Sequence, residues 1–206
     1  MMNDVLGQAI SDYYHQTMKG KLWIHNKYGK KESMPVDTYF RDEEYVTDLE
    51  LIALEQCTGT VLDIGAGAGS ISLQLQQLNK NVTALEISPL AASVIKLRGV
   101  KQVVQQDIFN FKGAQFDTLL LLMNGIGLMG NIAKLRVFLQ HAKSLIRPGG
   151  QLKQLHEAGI LANTQGSERR PRLDKMAQQI LPKFAANSIS AAVGFLHHML
   201  STFCCW

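Results

Sequence analysis

The spacing of hydrophobic positions changes once along this chain, near Thr60, and the change divides it into regions of different character. Over residues 3 to 18, Val5, Leu6, Ala9, Ile10, Tyr13 and Tyr14 recur at spacings of three and four, which predicts an amphipathic helix capped by Asn3 or Asp4 and ending near Gly20. Lys21 to Arg41 reads as irregular, with Gly29 and Pro35 among the aromatics Trp23, Tyr28, Tyr39 and Phe40. A second helix is predicted over Asp42 to Gln56, with Tyr45, Leu49, Ile52 and Ala53 on one face. Residues 1–56 thus make an N-terminal helical cap.

From Thr60 the pattern becomes short apolar runs, TVLDIG (60–65), NVTALEI (81–87), KQVVQQ (101–106) and FDTLLLLM (116–123). Helices are predicted at Ser70 to Leu78, Leu90 to Leu97 and Asn131 to Ile146, the last terminated by Pro148 and two glycines. Strands alternating with helices predict an α/β fold, a doubly wound, Rossmann-like and mostly parallel sheet. Such a sheet puts the third and fourth strands on opposite sides of the first two, although only about ten residues join them. That link must cover roughly 22 Å, and ten extended residues reach about 33 Å, so no helix is needed.

Composition adds bounds. The chain has 206 residues, 46% of them hydrophobic, which excludes disorder, collagen-like repeats and a disulfide scaffold. The net charge of +4 falls short of a dedicated nucleic-acid binder. The three cysteines, Cys57, Cys204 and Cys205, lack metal-ligand spacing and suit a reducing compartment. With Asp4 in place of a basic stretch near the start, a secretory signal is not expected and the reading is cytoplasmic.

The chemistry concentrates at VLDIGAGAGS, residues 61–70, a buried strand followed by a glycine turn and a helix start. Glycines at 65, 67 and 69 permit positive φ and close approach of a ligand, and the amides opening the next helix favour polar or anionic groups. The spacing is G-x-G-x-G rather than the G-x-G-x-x-G of dinucleotide binders, which disfavours a nicotinamide-dependent oxidoreductase, the least favoured reading. Glu86 ends the second run, twenty-one residues after Gly65, where a carboxylate accepts hydrogen bonds from both ribose hydroxyls. Asp107 ends the third run and can accept from an adenine amino group.

Taken in order, VLDIGAGAG, TALEIS, QQDIFNF, FDTLLLLMNGIGLMG and SLIRPGGQL resemble the motifs of class I S-adenosylmethionine-dependent methyltransferases, and residues 36–152 look like a small bacterial member of that group. The resemblance implies S-adenosylmethionine as cofactor. It places Asp63, Gly65, Ala66, Gly67 and Gly69 along the methionyl and ribose part and Glu86 on the ribose. Ile87 then flanks the adenine, Asp107 and Ile108 meet its edge, and Met123 and Asn124 face the sulfonium and the substrate. Tyr39 and Arg41 fall where the group's N-terminal segment crosses the cofactor, as substrate-side candidates. The MNGI segment lacks the Asn-Pro-Pro-aromatic pattern of base and glutamine methyltransferases and the cysteine needed for attack on cytosine, which favours a small-molecule acceptor. No nucleic-acid partner, metal, general base or oligomeric state is implied.

The resemblance stops after Leu152. Lys153, Gln154 and His156 do not suit a buried central strand, and residues 153–206 carry six basic side chains against three acidic ones. The last 23 residues, FAANSISAAVGFLHHMLSTFCCW, have the length of a membrane span, but His197 and His198 at mid-segment favour a partly buried helix or a poorly folded tail. The organisation expected is a cap (1–56), a cofactor-binding domain (57–152) and an atypical, non-native or poorly ordered tail (153–206), with the far edge of the sheet incomplete. The functional alternative is an inactive or unstable remnant that at most binds cofactor.

Overall fold

The computed structural model describes residues 4–25, 30–41, 46–122 and 128–154. Helix α1 (Val5–Tyr14) opens where Asp4 accepts a hydrogen bond from the Gly7 amide at 3.0 Å, and ends at His15, ahead of Gln16 at φ 58°. It covers the periodic apolar positions Val5 to Tyr14 and stops short of the end predicted near Gly20. The segment read as irregular holds an antiparallel hairpin, β1 (Leu22–Ile24) with β2 (Glu32–Met34), and a 3-10 turn over Val36–Phe40. Helix α2 (Asp48–Glu55) starts at a capping box, in which Glu50 N–H donates to Thr47 Oγ1 and Thr47 N–H donates to Glu50 Oε2.

The remaining elements are β3 (Thr60–Ile64), α3 (Ser70–Gln77), β4 (Asn81–Glu86), α4 (Pro89–Leu97), β5 (Val103–Gln105), β6 (Phe116–Leu121), α5 (Ile132–Leu145) and β7 (Ile146–Gln154). The strands form one parallel sheet in the order β5-β4-β3-β6-β7. The chain crosses from β5 at one edge to β6 on the other side of β3 through a link without a helix, as the reach arithmetic allows. Side chains alternate across the sheet, so β3 sends Leu62 and Ile64 to a core with Phe138, Ala142 and Leu145 of α5, and Val61 to a core with Ala53 and Leu54 of α2 and Leu75 of α3. A third cluster docks Ala9 and Ile10 of α1 on Ala91 and Val94 of α4.

Helix α5 ends at Leu145, before the Pro-Gly-Gly sequence predicted to stop it. Ile146 is already extended and pairs with Phe116, whereas Gln151 pairs with Thr118, so residues 147–150 bulge from the ladder and Pro148 needs no ladder partner there. The strand then continues past Leu152, with Lys153 opposite Leu120 and Gln154 opposite Leu121. Lys153, unsuited to a buried central strand, is accommodated in β7 by a polar partner at its tip. Its stem is buried, 4% exposed, and its ammonium donates to Gln56 Oε1 at 3.0 Å. Burial lowers its pKa, an effect the Cys57 thiol opposes. The tail beyond, read as atypical, lies outside the described residues. Among the described residues no helix is long and apolar enough to cross a membrane, and no cluster of three His, Cys, Asp or Glu can hold a metal.

At the start of α5, Asn131 accepts from the Lys134 amide at 2.9 Å. Replacing it with alanine is expected to lower stability by about 1 kcal/mol, the usual worth of such a cap. Urea unfolding checks this, and an unchanged midpoint would contradict it.

Candidate functional site

The strand order reverses direction at β3, and in open parallel sheets such a switch point is where ligands bind, beyond the C-terminal ends of the strands. The glycine loop stands at its centre. Gly67 has φ 60°, and a Cβ there would lie 3.1 Å from Tyr39 Cδ1, so a side chain would be both strained and crowded. Gly69, at φ 84°, opens α3 against Ile95 and Val100. The Gly65 and Ala66 amides donate to Leu85 O at 2.9 and 3.2 Å, tying the loop to β4. Ser70 Oγ, next along, donates to Tyr39 O at 2.7 Å, which fastens the 3-10 turn over the loop.

Two carboxylates share one face of the sheet here. Asp63 is 3% exposed, and its Oδ2 accepts from Ser72 Oγ at 2.6 Å. Burial pushes its pKa up to about 6, opposed by the Ser72 hydrogen bond and reinforced by the negative charge of Glu86. Glu86 is 8% exposed and accepts the Gly67 N–H on Oε2 and the Ser88 N–H on Oε1, both at 2.9 Å, with the Ile87 N–H as a further donor. Burial raises its pKa and the amide hydrogen bonds hold it down, while Asp4 adds a smaller upward push. Burial also raises the Tyr39 pKa, with Glu86 adding to it.

The other sequence candidates separate into two groups. Ile87 is 53% exposed at the end of β4, and Gln105 Nε2 donates to its carbonyl at 3.0 Å, joining the ends of β4 and β5. Half-buried Asp107 accepts from the Phe109 amide at 3.0 Å, and Ile108 is buried in the α5-side core with Leu85. These residues stand with Asp63, Glu86 and the glycine loop at strand ends. Arg41 does not stand open towards a substrate. Its two terminal nitrogens donate to the Glu50 carboxylate at 2.8 and 3.2 Å, and its side chain is 16% exposed. Met123 and Asn124 lie outside the described residues. After the gap, Leu128 reaches the glycine loop, its Cδ1 where a Cβ on Gly65 would collide.

Ser72 and Ser88 escaped the sequence reading. Ser72 carries no local signal, because a serine on a helix facing a sheet is recognised only once the strand beneath it is known. Ser88 does carry one, since a serine followed by proline marks a helix N-cap, and α4 starts there with Ser88 accepting from the Ala91 amide at 2.9 Å.

Residues 62–153 match the family model described as a methyltransferase domain. The crystal structure of a SAM-dependent methyltransferase from Bacteroides fragilis, in complex with S-adenosyl-L-homocysteine, superposes with a TM-score of 0.68 at 41% identity, over 72% of this chain and 62% of that one. A ubiquinone biosynthesis O-methyltransferase from Xanthomonas euvesicatoria pv. vesicatoria (strain 85-10) is 26% identical over 107 residues, 48% of this chain and 43% of its own. The protein of the same description from Xanthomonas axonopodis pv. citri (strain 306) is 25% identical over the same shares. The chain therefore spans less than half the length of these curated relatives.

Proposed function

We propose, for a chain whose residues 62–153 form a methyltransferase domain of the class I S-adenosylmethionine-dependent family, that it binds S-adenosylmethionine at the C-terminal ends of its strands and transfers the methyl group to a small-molecule acceptor. The observation that carries this reading is Glu86. It is buried at the end of β4, its carboxylate held by the Gly67, Ser88 and Ile87 backbone amides, and because a carboxylate offers about four acceptor positions it can still accept from the ribose.

The surrounding residues fit the group. Gly67 lets the loop pass close under the Tyr39 ring while its backbone N–H reaches Glu86. In this reading Asp63, Gly65, Ala66, Gly67 and Gly69 line the methionyl and ribose part. The exposed, apolar Ile87 packs on the adenine face, and Asp107 and Ile108 meet its edge. Met123 and Asn124, outside the described residues, take the sulfonium side. Tyr39, on the glycine loop, stands at the substrate side, whereas Arg41 acts through its ion pair with Glu50 to hold the 3-10 turn on α2.

When bound, the cofactor supplies a methyl carbon already activated by its sulfonium. The protein's task is then to align the acceptor and exclude water, which needs no covalent nucleophile from this chain. Burial raises the pKa of both Asp63 and Glu86. A cationic ligand group close to Asp63 would favour its charged form again, matching an acid there to a methionyl ammonium.

Thermal unfolding of the full chain with S-adenosylhomocysteine, against NAD as control, tests the reading. Ligand at a hundred times its dissociation constant is expected to add about 2.7 kcal/mol, or about 5 to 11 °C for a chain of this size. A cooperative transition that S-adenosylhomocysteine does not move would overturn the assignment.

A further inference from the structure

We propose that Asp4 is a positioning residue for Glu86, acting through Ser88, so that docking of α1 on α4 prepares the carboxylate that receives the ribose. This rests on the reading of Glu86 given above. Asp4 uses its two oxygens separately. Oδ1 accepts from the Gly7 amide at 3.0 Å and caps α1, while Oδ2 accepts from Ser88 Oγ at 2.7 Å, a contact spanning eighty-four positions of sequence. Ser88 joins three elements. Its hydroxyl donates to Asp4 and accepts from the Ala91 amide, and its backbone N–H donates to Glu86 Oε1 at 2.9 Å.

A serine hydroxyl has one proton, and Asp4 takes it, which leaves the oxygen's lone pairs to the α4 cap. The Ser88 backbone is thereby held from both sides, and its N–H stays aimed at Glu86. The approach is built into α1 by Gly7, where a Cβ would collide with Ser88 Oγ and with both Asp4 oxygens. Farther along, Ala9 and Ile10 pack on Ala91 and Val94, so the polar link and the apolar interface form together when α1 docks. A capping role alone would end at the Gly7 amide. The second oxygen extends it to the strand end where Glu86 sits.

The test uses the full chain and isothermal titration with two ligands, S-adenosylhomocysteine and its 2′,3′-dideoxy analogue, which lacks the hydroxyls that Glu86 accepts. Asp4→Ala is expected to weaken S-adenosylhomocysteine by about tenfold, the scale of one charge-assisted hydrogen bond, and to leave the dideoxy analogue unchanged. Asp4→Asn keeps one acceptor oxygen for the two donors, so its affinity for S-adenosylhomocysteine should fall between those of the native chain and Asp4→Ala. Equal weakening of both ligands would reduce Asp4 to a structural cap and overturn the proposal, as would no weakening of either.

If Asp4→Ala fails to fold, hydrogen exchange of the unmodified chain decides. Binding and docking are linked reciprocally, so S-adenosylhomocysteine must slow exchange of the α1 amides more than the dideoxy analogue does. Unchanged exchange would overturn the assignment. A different result marks failure of the underlying reading. An unmodified chain that binds neither ligand removes the proposed function, and one that binds both equally removes Glu86 from the ribose; either takes this proposal with it.

Discussion

Glu86→Ala is expected to lower the affinity for S-adenosylhomocysteine by about a hundredfold to ten-thousandfold, the equivalent of about 3 to 6 kcal/mol for two hydrogen bonds to a charged acceptor. The fold should survive the change. Alanine leaves the Gly67 and Ser88 amides without their present acceptor, which costs stability. It also removes an acid whose charge is disfavoured by burial and by the neighbouring Asp4, which returns some of it. Glu86→Gln retains one good acceptor oxygen but turns an amino group towards one of the two amides, so its affinity should fall between those of the native and alanine forms. Titration calorimetry beside a melting curve separates the two effects. Native affinity in a folded Glu86→Ala chain would remove this residue from the cofactor site and leave the proposed function without its main support.

Asp63→Asn is expected to make the protein more stable at neutral pH and a poorer binder. The Asp63 pKa is raised from 3.8 to about 6, and burial is the main cause. Below about pH 4 the carboxyl is protonated in both the folded and the unfolded chain and costs nothing. As the pH rises through 6 the folded chain must ionise a buried group that the unfolded chain ionises readily, so stability is lost. Two pKa units correspond to about 3 kcal/mol, an order of magnitude for the loss between pH 4 and pH 8. The upward shift of Glu86 acts in the same direction. Asparagine carries no charge to bury, and its carbonyl still accepts from Ser72, so the variant's stability should vary less with pH. Urea unfolding of both proteins at a series of pH values measures the difference, in which contributions from carboxylates not coupled to Asp63 cancel. Parallel profiles would show that Asp63 is not the source. The gain in stability should come with weaker binding, because a buried acid kept at a net cost suits a site prepared for a cationic ligand group.

Much of the sheet and of its candidate site is legible in the sequence. Apolar runs of five or six residues around Val61, Val82 and Leu119 follow from strand periodicity, and the glycines at 65, 67 and 69 follow from a tight turn between strand and helix. The acids at 63, 86 and 107 stand at strand ends simply because the strands end there. These features are local, encoded by neighbouring residues and backbone conformation. Even the crossing from β5 to β6 was bounded by chain reach alone.

What the sequence could not show depends on partners far along the chain. Helix α1 stops at Tyr14, short of Gly20, and the short hairpin of β1 and β2 lies in a segment whose pattern is irregular. The pairing of Arg41 with Glu50 of α2 likewise appears only in the folded chain. The helix ends within one residue of the place predicted ahead of Pro-Gly-Gly, but that turn itself forms a bulge in β7 opposite β6, which no local signal shows. Lys153 seemed wrong for a strand until Gln56 supplied a polar end to its buried stem. Hydrophobic spacing and turn chemistry by themselves determined the strand order along the chain, the glycine loop and its acids. The hydrogen-bond partners of those acids, Ser72 for Asp63 and the Gly67 and Ser88 amides for Glu86, were decided only by tertiary structure, and the Asp4 link to Ser88 with them. A backbone period acts over a few residues, whereas a buried carboxylate is satisfied by whichever donors the packed elements bring within about 3 Å of it.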